Sequence, residues 1–230
     1  MRNIYSIVIL FITFLIVQGC RHTEPDILLI NRSPSEIILD GDIGEMAWNN
    51  ATTVTGFISP WKPATQDSTI FRCFCSPDHF NFCFEVVDRS LTILDYTDEM
   101  TVAEGDRVEL FFSPSAKLSP YYCIEINPHG YILDYKAQFH RQFDFSWNFS
   151  NLAVTGKITS NGYIVEGRIP ISELQTLGID FNKEFYLGIF RADFREENEN
   201  SAIWYSWINP QVKEADFHIP SAFVKSKLKQ

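Results

Sequence analysis

Two carboxylates stand at the start of a predicted strand over residues 105–112. Asp106 and Glu109 lie three positions apart, and apolar side chains alternate along the rest of the stretch. Carboxylates at the rim of a sheet can bind a cation or accept hydrogen bonds from a ligand. An edge strand that carries solubilising charges has the same pattern. The sequence therefore makes Asp106 and Glu109 candidate ligand residues and leaves both interpretations open.

The motifs of the common hydrolases and nucleotide-binding enzymes do not occur. The chain contains no G-x-S-x-G, no H-E-x-x-H and no glycine-rich phosphate loop. Asp106 and Glu109 have the composition of a glycosidase pair, but the sequence does not fix the distance between them. We therefore predict that the protein is not an enzyme.

A second acidic stretch alternates Asp40 and Asp42 with Gly41 and Gly44. The oxygens of such a turn could hold a structural calcium ion, and they could equally cap the helical turn predicted to follow. Capping is the favoured interpretation. No cofactor is certain from the residues, and calcium at Asp40 and Asp42 stays open.

The N-terminus has the features of a targeting segment. Arg2 precedes a short apolar run, and the sequence L-I-V-Q-G-C ends at Cys20 in a pattern that resembles a bacterial lipobox. We predict a signal peptide over residues 1–19, lipidation of Cys20, a tether over 20–30 and one domain over 31–230. The protein would then be lipid-anchored in the cell envelope, on the periplasmic or surface face of the outer membrane. A plain secretory peptide and a retained anchor helix are the alternatives.

Composition limits the classes of partner. The net charge of −10 becomes −11 when residues 1–19, which contain Arg2 and no acid, are removed. Nucleic-acid binding requires basic patches, so an acidic chain disfavours it. The remaining cysteines lie among apolar residues, and we predict buried thiols rather than a disulfide. They are Cys73, Cys75, Cys83 and Cys123.

Alternating apolar residues predict an all-β fold. Hairpins are expected over residues 69–87, 120–135 and 152–169, and Asn161-Gly162 is a strong turn signal in the last of them. Residues 88–104 have no clear period and are predicted to form a loop. The absence of linkers and long helical patterns in the sequence indicates one domain, a two-sheet antiparallel β-sandwich.

Further candidates for ligand contact are aromatic or buried polar residues. Trp147 lies in an irregular aromatic stretch, and Trp204 and Trp207 point to opposite faces of a strand because an odd number of residues separates them. One of the two should therefore be a core residue and the other a platform. Arg191 could hydrogen-bond a ligand or pair internally with Asp193.

The chain resembles carbohydrate-binding modules of family 9, in the form found on Bacteroidetes lipoproteins. The motifs that carry the resemblance follow the family's order and span nearly the whole chain after the signal peptide. They are LDGDIGEMAW (39–48), DRVELFF (106–112), EINPHG (125–130), GYIVEGRIP (162–170), LGIFR (187–191), WYSW (204–207) and FHIPSAF (217–223).

The resemblance implies a β-sandwich related to DOMON domains, which bind sugars or haem. Family members hold a sugar between two tryptophans, with acidic and amide side chains bonded to its hydroxyls. The implied acids are Asp106 and Glu109, and the positions of the two tryptophans hold Ala103 and Phe217.

Three functions follow as expectations. The first is non-catalytic binding of an oligo- or polysaccharide by a membrane-anchored lipoprotein. The second, favoured by Ala103, is an accessory or interaction subunit that contacts a protein partner in an envelope complex. The third is a DOMON-type haem binder, which requires axial Met or His ligands that the sequence does not single out.

Overall fold

The computed structural model describes residues 27–63, 67–195 and 202–230, so the predicted signal peptide and Cys20 lie outside the described residues. Within those ranges the chain is almost entirely β-structure. The strands are β1 (Leu28–Arg32), β2 (Thr52–Val54), β3 (Ser68–Cys75), β4 (His79–Val87), β5 (Arg107–Ser113), β6 (Tyr121–Ile126), β7 (Ile132–Gln138), β8 (Gln142–Asp144), β9 (Ala153–Thr159), β10 (Gly162–Pro170), β11 (Phe185–Asp193), β12 (Ile203–Ser206) and β13 (Val224–Leu228). The helices are α1 (Met46–Asn49), α2 (Ile171–Thr176) and the 3-10 helices Glu99–Glu104 and Pro220–Ala222.

The strands form two sheets. Sheet A has the order β8-β7-β6-β5-β11-β13, with β12 also paired to β11; sheet B has the order β3-β4-β10-β9, with β2 paired to β3. β1 joins them, because Leu28–Ile30 pair with β13 and Asn31 and Arg32 pair with β3. Both pairings of β1 are parallel, whereas the other strand pairs are antiparallel. The predicted all-β sandwich is confirmed, with β1 as its parallel exception.

The main core lies between the sheets. Phe82 and Phe84 of β4 and Leu110 and Phe112 of β5 are fully buried in one hydrophobic cluster. Alternate residues of each strand point to this side, which is why the sequence shows a period of two. The apolar faces of two sheets can be buried only against each other, and the sandwich follows from that pattern.

Aromatic residues also cover the outer face of sheet A. Phe111, Tyr135 and Phe190 on the strands pack with Phe217 and Phe223 from the segment that leads into β13. β5 therefore contacts a hydrophobic layer on each face, and all of its residues are buried. This second layer makes the interior of the cleft described below.

Three details differ from or add to the sequence expectations. Residues 28–30, assigned to the tether, form the first part of β1. The stretch predicted as a loop contains the 3-10 helix Glu99–Glu104, because Asp98 caps the helix and exchanges hydrogen bonds with Thr101. The predicted thiols are confirmed as free and buried. Among the described residues, no helix is long and apolar enough for a membrane span.

Phe84 tests the contribution of the main core. Its ring is fully buried, with its centroid 4.8 Å from that of Phe71. We expect Phe84→Ala to lower the free energy of unfolding by about 3–5 kcal/mol, because it removes apolar contacts and leaves a cavity. Chemical denaturation measures the loss. Ile38→Ala is the control, since Ile38 is 69 % exposed, and should change stability by less than about 0.5 kcal/mol. Equal losses in the two variants would contradict the assignment of the core.

Candidate functional site

A cleft of about 200 Å³ opens on the outer face of sheet A. β5 and β6 supply its floor, β12 and the segment before β13 supply its aromatic wall, and the β7–β8 turn reaches its rim. The lining residues are Arg107, Glu109, Glu125, Arg141, Trp204, Ala215, Asp216, Phe217 and His218.

The floor is a buried group of three charged residues. Glu109 and Glu125 are direct partners across β5 and β6, and like charges in that position repel. Arg107 lies between them: its Nε is 3.0 Å from Glu109 Oε1 and 2.6 Å from Glu125 Oε2. The hydroxyl of Tyr135 donates a hydrogen bond to Glu125 Oε1 at 2.8 Å. One cation thus holds two carboxyl groups in one place.

This arrangement changes the protonation of the floor. Burial, followed by the charge of Glu125, raises the pKa of Glu109 to about 8, although Arg107 acts in the opposite direction. Burial lowers the pKa of Arg107, but Glu125 and Glu109 together leave it above its ordinary value. At neutral pH, Glu109 therefore carries a proton, and the charges of Arg107 and Glu125 balance.

The wall of the cleft consists of aromatic rings. Phe217 stacks on Phe190 with a centroid distance of 4.1 Å, and Trp204 packs edge-on against Phe217 at 5.6 Å. The guanidinium carbon of Arg107 lies 5.3 Å from the centroid of Trp204. Trp204 is only half-buried, so part of its indole remains available to a ligand.

The rim is fixed by Asp216. Its carboxylate is 3.0 Å from Arg141 Nη2 and 3.1 Å from His140 Nε2, and it accepts a hydrogen bond from the amide of His218. Burial raises the pKa of Asp216, but these three contacts outweigh burial and the pKa is lowered. Burial, followed by Arg141, lowers the pKa of His218 to about 3, so its ring is neutral. The β7–β8 turn is thus attached to the segment that carries Phe217.

The structure brings together three of the residues predicted from the sequence and separates the others. Glu109, Trp204 and Phe217 line the cleft. Asp106 and Arg191 point between the sheets, because they lie an odd number of residues from Glu109 and Phe190 on the same strands. Both are completely buried.

The other two tryptophans pack elsewhere. Trp207 belongs to the core between the sheets and is 8 % exposed. Trp147 is half-buried and packs against Tyr122 and Phe149, with ring centroids 5.0 and 4.9 Å away. Neither lines the cleft.

Asp40 and Asp42 serve the local backbone. Asp40 Oδ1 accepts a hydrogen bond from the amide of Asp42, and Asp42 Oδ1 accepts one from the amide of Gly44. The residue that precedes α1 is Glu45, and it makes no side-chain cap. The acidic turn is therefore held by its own aspartates and does not cap the helix. Calcium binding there stays a prediction.

Ala103 lies in the 3-10 helix beside the cleft. Its carbonyl accepts a hydrogen bond from Arg107 Nη1 at 2.9 Å, and its methyl group packs against the outer aromatic layer. The helix therefore provides a backbone contact to the floor and no aromatic side chain. The wall is built from Trp204 instead.

Sequence reasoning missed five residues of the cleft: Arg107, Glu125, Arg141, Asp216 and His218. Arg107 shares the outer face of β5 with Glu109, so the period of two could have identified it. Glu125 required the register of β5 and β6. Arg141 and Asp216 are 75 residues apart and meet only through the tertiary fold.

Comparisons with known proteins agree on one family. Residues 38–230 match the family described as carbohydrate family 9 binding domain-like. A comparison with curated proteins finds no match.

Solved structures with low sequence identity share the fold. A protein of Bacteroides uniformis proposed to bind carbohydrate has a TM-score of 0.64 and 17 % identity, over 79 % of this chain and 88 % of its own. A family 9 carbohydrate-binding module of Caldicellulosiruptor kristjanssonii in complex with glucose has a TM-score of 0.56 and 18 % identity, over 87 % and 95 %. The module of that organism in complex with cellotriose has a TM-score of 0.58 and 16 % identity, over 88 % and 93 %.

The raised pKa of Glu109 predicts a pH dependence of stability. Because the folded state holds this proton more tightly than the unfolded state, stability falls as the pH rises from about 4.5 to about 8. Glu109→Gln cannot lose a proton, so we expect the wild type to lose stability relative to this variant by up to about 1.4 kcal/mol per pH unit in that range. Denaturation of both proteins between pH 5 and pH 8 measures the difference.

The control for this experiment is Glu214→Gln, which alters an exposed carboxylate. Its stability should follow the wild type at every pH. If Glu109→Gln also ran parallel to the wild type, the protonated floor would be wrong.

Proposed function

The chain belongs to the carbohydrate family 9 binding domain-like family, and we propose on that basis that it binds carbohydrate in the cleft of sheet A without changing it chemically. The observation that carries the proposal is the combination of an aromatic wall and a charged floor in one cleft. Trp204 and Phe217 form the wall, and Glu109 and Glu125 line the floor.

This combination suits the two kinds of surface that a sugar presents. One face of a pyranose ring exposes C–H groups, which pack favourably on an aromatic ring. The hydroxyls require directional partners, and carboxyl and guanidinium groups supply acceptors and donors. Arg141 and Asp216 offer further polar contacts at the rim. Because Arg107 fixes both carboxyl groups, the polar partners are already in position before a ligand binds.

The size of the cleft favours a short ligand segment. Its volume of about 200 Å³ is below the ~300–1,000 Å³ usual for pockets that enclose drug-sized molecules. We propose that it holds one sugar ring, with any remaining rings of an oligosaccharide outside. The related modules were solved with glucose and cellotriose, so glucose and its β-1,4-linked oligomers are the first ligands to test.

Non-catalytic binding agrees with the chemistry of the floor. A glycosidase needs one carboxyl group free to donate a proton and a second free to attack or to activate water. Here Glu109 and Glu125 both contact Arg107, and Glu125 also accepts a bond from Tyr135. The family consists of binding domains, which supports the same proposal.

Trp204 and Glu109 test the site. We expect Trp204→Ala to weaken the binding of glucose or a cello-oligosaccharide by at least about tenfold, roughly 1.4 kcal/mol, because the ring loses its stacking surface. Glu109→Gln should also weaken binding, since it changes the hydrogen-bonding floor. Isothermal titration calorimetry of the purified protein against a panel of mono- and oligosaccharides measures both effects.

Trp147→Ala is the matched control, because Trp147 is half-buried like Trp204 but lies outside the cleft. Its affinity should equal that of the wild type. If the folded wild type bound none of the sugars, carbohydrate binding would be contradicted. The outcome would then favour an accessory subunit of an envelope complex, to which Ala103 also points.

We also propose that Cys20 anchors the protein to the membrane by lipidation. The lipobox-like residues before Cys20 support this, and β1 begins only a short distance later, at Leu28. Cells grown with a labelled fatty acid should incorporate the label into the wild type, and Cys20→Ser should lose it and leave the membrane fraction. Cys123→Ser is the control, since Cys123 is a buried thiol that should not be modified. Equal labelling of Cys20→Ser would contradict the anchor.

A further inference from the structure

A second group of buried charges lies between the two sheets, at one end of the sandwich. Asp88 follows β4 of sheet B, whereas Asp106 precedes β5 and Asp193 ends β11, both in sheet A. Each carboxylate contributes one oxygen to a group whose members all lie within 4.8 Å of one another. All three aspartates are buried. This is the only such group of potential metal ligands among the residues that the structure describes.

The neighbouring cations do not balance these charges. Arg191 Nη2 is 2.6 Å from Asp88 Oδ2 and 3.3 Å from Asp193 Oδ2. Arg195 also contacts Asp193, but it pairs with a further carboxylate, Asp67, at 2.7 Å. Four carboxylates therefore face two guanidinium groups, an excess of two negative charges. Burying an uncompensated charge is costly, so the group needs protons or a cation.

A buried hydroxyl faces the same group. Tyr163 on β10 is 0 % exposed, and among the described residues its hydroxyl has no hydrogen-bond partner. Burial raises the pKa of Tyr163, and the charges of Asp106, Asp88 and Asp193 raise it further. These interactions place the hydroxyl beside the carboxylates. Asp193 Oδ1 is likewise buried without a partner in the described part of the chain.

We propose that Asp88, Asp106 and Asp193 bind a calcium ion between the two sheets. The ligands are all carboxylate oxygens, which calcium prefers, and calcium tolerates the irregular geometry that three separate segments provide. A divalent ion supplies the two missing positive charges. A water molecule carried by the ion would give the hydroxyl of Tyr163 its hydrogen-bond partner.

Asp106 supports a cation over an empty group. Burial, together with Asp88 and Asp193, raises the pKa of Asp106 to about 7, even though the amides of Thr92 and Phe194 donate to its two oxygens. A bound divalent ion replaces the proton and lets the carboxylate ionise. The site joins β4 of one sheet to β5 and β11 of the other, so its occupation stabilises the sandwich. This inference is independent of carbohydrate binding.

The experiment is a metal titration of the purified full chain after treatment with EDTA. We expect CaCl2 to raise the Tm, because calcium binds the folded state and not the unfolded one. Calorimetry should show one site, and terbium bound in its place should luminesce when the protein's aromatic rings are excited. MgCl2 should have a smaller effect, since magnesium requires a stricter geometry. No Tm shift and no terbium signal would overturn the proposal and indicate that protons neutralise the group.

Two variants locate the ion. Asp193→Asn should abolish the Tm shift, whereas Asp42→Asn, in the acidic turn before α1, should retain it. The reverse result would place calcium in that turn and overturn the proposal. If Asp193→Asn does not fold, Tyr163→Phe replaces it: this variant keeps the ring and should bind calcium several-fold more weakly. Wild-type calcium affinity in Tyr163→Phe would then contradict the site. Sugar titrations of the same variants keep this result separate from the cleft, because the two sites share no residue.

Discussion

The constraint on which the structure depends is the burial of β5 on both faces. Successive residues of a strand point in opposite directions, so a strand between two hydrophobic layers must satisfy both. β5 presents Val108, Leu110 and Phe112 to the core between the sheets, and Arg107, Glu109 and Phe111 to the outer aromatic layer. Its charged residues can be buried only with partners. The partners determine where the cleft lies and which segments surround it.

Arg107 is the residue that connects these segments. Its Nε contacts Glu109 and Glu125 on two strands, and its Nη1 donates to the carbonyl of Ala103 in the 3-10 helix. The planar guanidinium group can serve all of these partners at once, which the single ammonium group of lysine cannot do with the same geometry. The helix is thereby fixed at the edge of the cleft although it contributes no aromatic ring. Trp204, from β12, provides the aromatic surface beside it.

The sequence predicted the fold more fully than the site. Hairpins follow from local signals, such as the alternation in residues 80–87 and the turn at Asn161 and Gly162, and the structure contains them. The odd spacing of Trp204 and Trp207 also predicted correctly that they lie on opposite faces. The same rule separates Asp106 from Glu109, which had been grouped as one candidate site. Local patterns determine the face of a strand, but they do not determine what lies opposite it. Strand register brings Glu125 to Glu109, and long-range folding brings Asp88, Asp106 and Asp193 together.

The position of β1 determines how the protein resists a pulling force. This strand is the first described element, and it lies parallel to both of its neighbours, β13 in one sheet and β3 in the other. A pull along β1 from its N-terminal end loads the hydrogen bonds to both neighbours in shear, so they must break together rather than one after another. The amide of Lys229 also bonds to the carbonyl of Ile30, which adds the C-terminal end of the chain to the same connection. A domain held at its N-terminus would therefore transmit tension into both sheets at once, and the cleft on sheet A would keep its shape under load.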